Sequence, residues 1–99
     1  MKHCKNQTIK SLIEIAKTPK ASRVGVTIDV NQRSKQYVQK GYSNDCVMFS
    51  AKSTSLQKAE QKLLNIICSK NTPHNNVHKV SNYTKNKSGN VYVIVGNKK

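Results

Sequence analysis

Acidic residues are nearly missing from this chain of 99 residues: Glu14, Asp29, Asp45 and Glu60 stand against eighteen Lys and Arg, for a formal charge of +14. Ordinary solubility needs far less charge. Because the basic residues are spread along the sequence, the field suits a polyanion, nucleic acid first and an anionic membrane surface second. Long hydrophobic runs are also lacking. No stretch approaches the ~20 apolar residues needed to cross a bilayer, and Glu14 and Lys17 interrupt the N-terminal apolar run where a signal peptide would need it continuous. Cysteine is scarce and odd in number. Cys4, Cys46 and Cys68 are widely separated and form no Cys-x-x-Cys pair. That pattern argues against a disulfide framework and predicts a reducing, intracellular setting, cytoplasm or nucleus. Zinc is disfavoured as well, since Pro73 separates Cys68 from His74 and His78 and no second pair completes a site.

What is present is periodic. The apolar residues cluster at regular spacing, which predicts a single folded domain over residues 1–99, too short for a second core. Thr8 caps a predicted helix over 9–17, with Ile9, Leu12, Ile13 and Ala16 on one face and Pro19 beyond its end. "SRVGVTIDV" alternates Val24, Val26 and Ile28 with smaller or polar residues, as a strand does. Asp29 then caps a second helix that Gly41 stops. "CVMFSA", residues 46–51, predicts a strand, and Thr54 or Ser55 caps a third helix. The Asn/Lys-rich stretch that follows reads as loop, with room for a brief strand at Val77 to Val80. "NVYVIVG" closes the chain as a strand. The order helix, strand, helix, strand, helix, loop, strand predicts an α+β fold, a small central β-sheet flanked by three helices.

Two of these helices aim polar groups inward. At roughly 100° per residue, Leu56, Ala59, Leu63, Leu64, Ile66 and Ile67 share one arc, and Glu60 falls inside it. On the second helix, Val30 and Val38 define an inner arc that also holds Arg33 and Tyr37, one turn apart. By themselves these residues support two readings. Arg33 and Glu60 pair as a structural salt bridge, or they are parts of a polar site.

The stretch "RVGVTIDVNQRSKQY", Arg23 to Tyr37, resembles the second motif of the GIY-YIG nuclease family: a strand carrying a Gly, a capped turn, then a helix presenting Arg with His or Tyr four residues on. Gly25, Arg33 and Tyr37 match that spacing, Glu60 takes the position of the family's metal-binding Glu on a later helix, and Asn75 or Asn76 takes that of a following Asn. The resemblance spans about residues 23–76. Two features depart from it. The tripeptide that should read Tyr-x-Gly is Arg23-Val24-Gly25, and the N-terminal GIY strand is replaced by the helix at 9–17. "GNVYVIVG" near the C-terminus is similar to the missing strand, with Tyr92 in place of its tyrosine. The expectation follows that this strand pairs with the strand of Arg23 to Ile28 and returns a phenol to the site. The rival expectation is a purely structural C-terminal strand.

The resemblance implies a GIY-YIG-like fold and an endonuclease that hydrolyses nucleic-acid phosphodiester bonds with Mg²⁺ or Mn²⁺. It implies Glu60 as metal ligand, Arg33 on the scissile phosphate, Tyr37 or Tyr92 orienting or deprotonating water, and Arg23, Lys35, Asn75 and Asn76 contacting the strand. DNA ranks ahead of RNA as partner, with no membrane involved. Two alternatives belong to other classes: a catalytically inactive DNA- or RNA-binding module of the same fold, and a basic structural protein in which Arg33 and Glu60 only pair.

Overall fold

The computed structural model describes residues 1–69 and 89–96. The chain folds as β1 (Lys2–Cys4), α1 (Ile9–Ala16), β2 (Ala21–Thr27), α2 (Val30–Gln39), β3 (Val47–Ser53), α3 (Leu56–Ser69) and β4 (Gly89–Val95). The four strands form one sheet in the order β1-β3-β4-β2. β4 lies inside it, antiparallel to both β2 and β3, and β1 pairs parallel with β3 at the far edge. The α+β class, with one sheet and three helices, is thereby established. Asn75, Asn76, His74, His78 and the brief strand expected at Val77 to Val80 lie outside the described residues.

Strand alternation divides the core in two. Val24 and Val26 of β2, Phe49 and Ala51 of β3, and Val91 and Val93 of β4 face α1 and α3, where Leu12, Ala16, Leu56, Ala59, Leu63, Leu64 and Ile67 cover them. The alternate residues Met48, Tyr92 and Ile94 face α2 and pack with Val30, Tyr37, Tyr42 and Cys46. Every residue of β4 from Val91 to Ile94 is at most 1% exposed. This continuous apolar run is what a strand covered on both faces requires.

The helix ends follow local chemistry. The Thr8 hydroxyl accepts the Ser11 amide at 3.0 Å, and the Asp29 carboxylate accepts the Gln32 amide at 3.0 Å, so each satisfies a backbone donor of the first turn. α2 ends in a Schellman arrangement, in which the Gly41 amide bonds the Val38 carbonyl and the Tyr42 amide bonds the Tyr37 carbonyl. Gly41 sits at φ 108°, in the left-handed region where glycine alone is unstrained.

Two expectations need correction. β1 has no counterpart in the predicted order, because Lys2-His3-Cys4 shows no hydrophobic alternation; it is held by ladder bonds to β3. Ile28 does not continue the buried face of β2 and is 85% exposed. The strand stops at Thr27, whose hydroxyl accepts the Asp29 amide at 3.0 Å and turns the chain into the α2 cap.

Candidate functional site

The β2–β4 ladder sets Gly25 directly opposite Tyr92. The absence of a side chain at 25 leaves room for the Tyr92 ring, since a Cβ built there would overlap the phenol carbon and oxygen. The C-terminal strand therefore does pair with the strand of Arg23 to Thr27 and brings its phenol to the α2 face. There the Tyr92 and Tyr37 hydroxyls lie 2.6 Å apart and share one hydrogen bond. Their rings meet nearly edge-on, with centroids 5.8 Å apart at 74°, a favourable geometry for aromatic pairs. Tyr42 completes the group, its ring 5.2 Å from that of Tyr37 at 83°.

Cations flank the three rings. The Arg23 guanidinium lies 6.0 Å and the Lys40 ammonium 5.7 Å from the Tyr37 ring centroid, both within cation–π range. Arg33, half-buried one turn before Tyr37 on α2, is close enough for its charge to act on the Tyr92 phenol. Burial, followed by the neighbouring Tyr37, pushes the Tyr92 pKa well up; Arg33 and Arg23 oppose this without reversing it. Tyr42 is also raised, chiefly by burial, with Arg23 opposing. Burial works against the Arg23 charge, but Tyr37, Tyr42 and Tyr92 more than offset it and hold its pKa above the ordinary value. Tyr92 and Tyr42 are thus phenols that hold their protons, in a cluster fringed by positive charge. A base made from a phenol needs its pKa lowered, and Tyr92 moves the other way.

Glu60 is buried, 3% exposed, as its place in the apolar arc predicts. Its helix belongs to the other layer: α3 packs on β2 and β4 through the residues that flank Glu60. The Arg23–Tyr37–Tyr92 cluster stands on the opposite face of those same strands. The structure thus brings Arg23, Arg33, Tyr37 and Tyr92 together and sets Glu60 across the sheet from them. Among the described residues no ion pair joins Arg33 to Glu60, so a salt bridge between them is not the reason for either inward group. Among the described residues Lys17 and Glu14 form an ion pair at 3.5 Å on the surface. Lys35 is exposed on α2 and lines a surface groove with His3 and Ser34. Among the described residues no three His, Cys, Asp or Glu side chains converge as a metal cluster. No described helix is long and apolar enough to cross a membrane.

Tyr42 and Lys40 were missed by sequence reasoning as members of the cluster. A signal for Tyr42 existed: a bulky residue directly after a helix-terminating glycine contacts the helix one turn back, and residue 37 is that contact.

The chain matches no protein-family model, no curated protein and no solved structure.

Proposed function

We propose that the chain is a GIY-YIG-like endonuclease domain acting on nucleic-acid phosphodiester bonds, with DNA ahead of RNA as substrate, in an intracellular setting. The observation that carries this reading is the β2–β4 pairing, which seats the Tyr92 phenol on Gly25 and against Tyr37, beside Arg23 and Arg33. It supplies from the C-terminus the phenol that the family resemblance demands and the N-terminal part of the chain lacks. The +14 charge supports a polyanionic partner. Cys4 and Cys46 carry thiols, in keeping with a reducing compartment.

In this reading Arg33 contacts the phosphate through its forked donors, which suit the charge that grows on phosphoryl oxygens. Arg23, stacked by Tyr37, holds the adjoining backbone phosphate. Tyr92 stays protonated, so it positions Tyr37 through their shared hydrogen bond and does not accept the water proton. The resemblance gives Glu60, a hard oxygen donor, as the Mg²⁺ or Mn²⁺ ligand, but a single carboxylate buried in the layer across the sheet from Arg33 does not fit an ion that must reach the phosphate Arg33 contacts, and no further ligands cluster with it among the described residues. A divalent ion at the phosphate would supply polarisation of a phosphoryl oxygen and stabilisation of the leaving group.

A second reading has its own support. The upward shift of Tyr92 and the position of Glu60 in the other layer both favour binding without cleavage. Incubation of the chain with supercoiled plasmid and with single-stranded oligonucleotides separates the two. Cleavage with Mg²⁺ or Mn²⁺ that EDTA abolishes is expected for the nuclease. Retention of either substrate at low salt, with no metal-dependent product, would replace it by the binding module.

A further inference from the structure

Ser50 is 1% exposed, yet its hydroxyl has no hydrogen-bond partner among the described residues. Buried polar groups are ordinarily paired, so an exception asks for a reason. On β3, Phe49 and Ala51 face α1 and α3, which turns Ser50 to the α2 face together with Met48 and Lys52. There it lines a cavity of about 340 Å³ at the N-terminal end of α2, with Lys5, Asp29, Asn31, Lys52 and Asn90 around it.

This lining is rich in donors. Lys5 and Lys52 bring two ammonium groups, and Asn31 and Asn90 bring carboxamides. The amides of Val30 and Asn31, the first two of the helix, have no intrahelical acceptor and carry the positive end of the helix dipole. The one carboxylate, Asp29, is already engaged as the cap by the Gln32 amide at 3.0 Å. A cation would find a single acid beside two ammonium groups. An oxyanion would find donors from two lysines, a buried hydroxyl and a helix N-terminus.

We propose that this cavity binds a phosphate group. Ser50 pairs with Tyr92 in the β3–β4 ladder, as Gly25 does from the other side, so the cavity adjoins the phenol cluster on the same sheet face. The identity of the phosphate as one of a nucleic-acid strand rests on the proposed function, whereas the anion site stands on its own residues.

Amide shifts of the full chain, followed by NMR as inorganic phosphate is added, test the site without any cleavage readout. Saturable shifts are expected at Val30, Asn31 and Ser50. Lys5→Gln combined with Lys52→Gln should weaken phosphate about tenfold or more, the scale of a hydrogen bond to a charged group. Ser50→Ala should also weaken it about tenfold, on the order of one hydrogen bond to a charged group. Asp29→Asn keeps a competent cap and removes the one negative charge, so it should tighten phosphate. Absence of shifts at these amides, or weakening by Asp29→Asn with no effect of the lysine changes, overturns the anion site. Titration with an oligonucleotide, with and without a 5′-phosphate, identifies the source. Shifts at the same amides from either oligonucleotide support a strand phosphate, and a response to inorganic phosphate alone would keep the site and overturn the strand as its source.

Discussion

Tyr92 lies across Gly25, and the ring of one residue fills the space that the other leaves open. A methyl group at 25 meets a phenol that cannot swing away, because Tyr92 is 1% exposed and bonded to Tyr37. Gly25→Ala is therefore expected to destabilise the fold by about 1–3 kcal/mol, the usual cost of overpacking a core. Urea denaturation measures it. Tyr92→Leu shortens the side chain and should absorb part of that cost when combined with Gly25→Ala, which a double-mutant cycle detects. Stability of Gly25→Ala equal to the parent would contradict the seating of the ring.

The hydrogen bond between Tyr37 and Tyr92 joins residues 55 positions apart and ties α2 to the central strand. Each single change to Phe leaves a buried hydroxyl without its partner, at about 1–3 kcal/mol, whereas changing both removes donor and acceptor together. Tyr37→Phe and Tyr92→Phe should each lower the urea midpoint, and the double variant should lose less than their sum. Strict additivity would mean that the two hydroxyls do not interact.

The raised pKa values of Tyr92 and Tyr42 make alkaline pH the condition that discriminates. A raised value means that the folded chain holds the phenolic proton more tightly than the unfolded chain does, where it leaves at ~10. The stabilisation is complete below that pH and is lost as pH rises above it. Denaturant midpoints measured from about pH 8 to beyond about pH 11, a range that brackets the ordinary phenol, should fall at the alkaline end for the parent, and less steeply for Tyr92→Phe. Equal slopes for the two proteins would show that the Tyr92 proton is not held by the fold.

Much of this arrangement is legible in the sequence, and the reasons are local. Thr8 and Asp29 announce helix starts because their side chains accept amides of the first turn. Glu60 could be placed inside the protein because helical periodicity carries it there regardless of what it meets. The pairing of β4 with β2 is expected from the likeness of "GNVYVIVG" to a GIY strand, whereas the fit of the Tyr92 ring over Gly25 is visible only once the two strands are in register. The layer to which α3 belongs could not, since periodicity says which side of a helix is buried and nothing about which face of a sheet receives it. For the same reason Arg33 and Glu60 look like partners in the sequence when both simply face inward. β1 is invisible there because a three-residue edge strand owes its existence to the backbone of β3 and to no pattern of its own.

Glu60 offers the clearest chemical test. Glu60→Gln keeps the shape of the side chain and removes the charge that a hard cation needs. Urea denaturation of the same variant separates any change in folding from a change in cutting. Plasmid cleavage in Mg²⁺ should fall by about 10²-fold or more if a divalent ion held there contributes the several kcal/mol usual for such a centre. A Glu60→Gln variant that cuts as well as the parent would remove Glu60 as the metal ligand and leave the family resemblance without its metal position.

Binding itself should be governed by phosphate contacts and hence by salt. Each phosphate neutralised contributes a log–log slope of roughly −0.9 on duplex DNA and −0.7 on single strands, so a footprint of about five contacts gives a slope near −3 to −5. Arg33 and Arg23 are half-buried, unlike the exposed lysines, and Arg23 is fixed by the ring beside it, so their contacts should be well defined. Arg33→Gln is therefore expected to reduce the slope by about one contact and to weaken all sequences alike, because a phosphate contact carries no base information. Fluorescence anisotropy with two oligonucleotides of unrelated sequence, from about 50 to 200 mM salt, covers the range in which this term dominates. A slope that Arg33→Gln leaves unchanged would place the strand away from α2, and a flat dependence for the parent would remove nucleic acid as the partner under either functional reading.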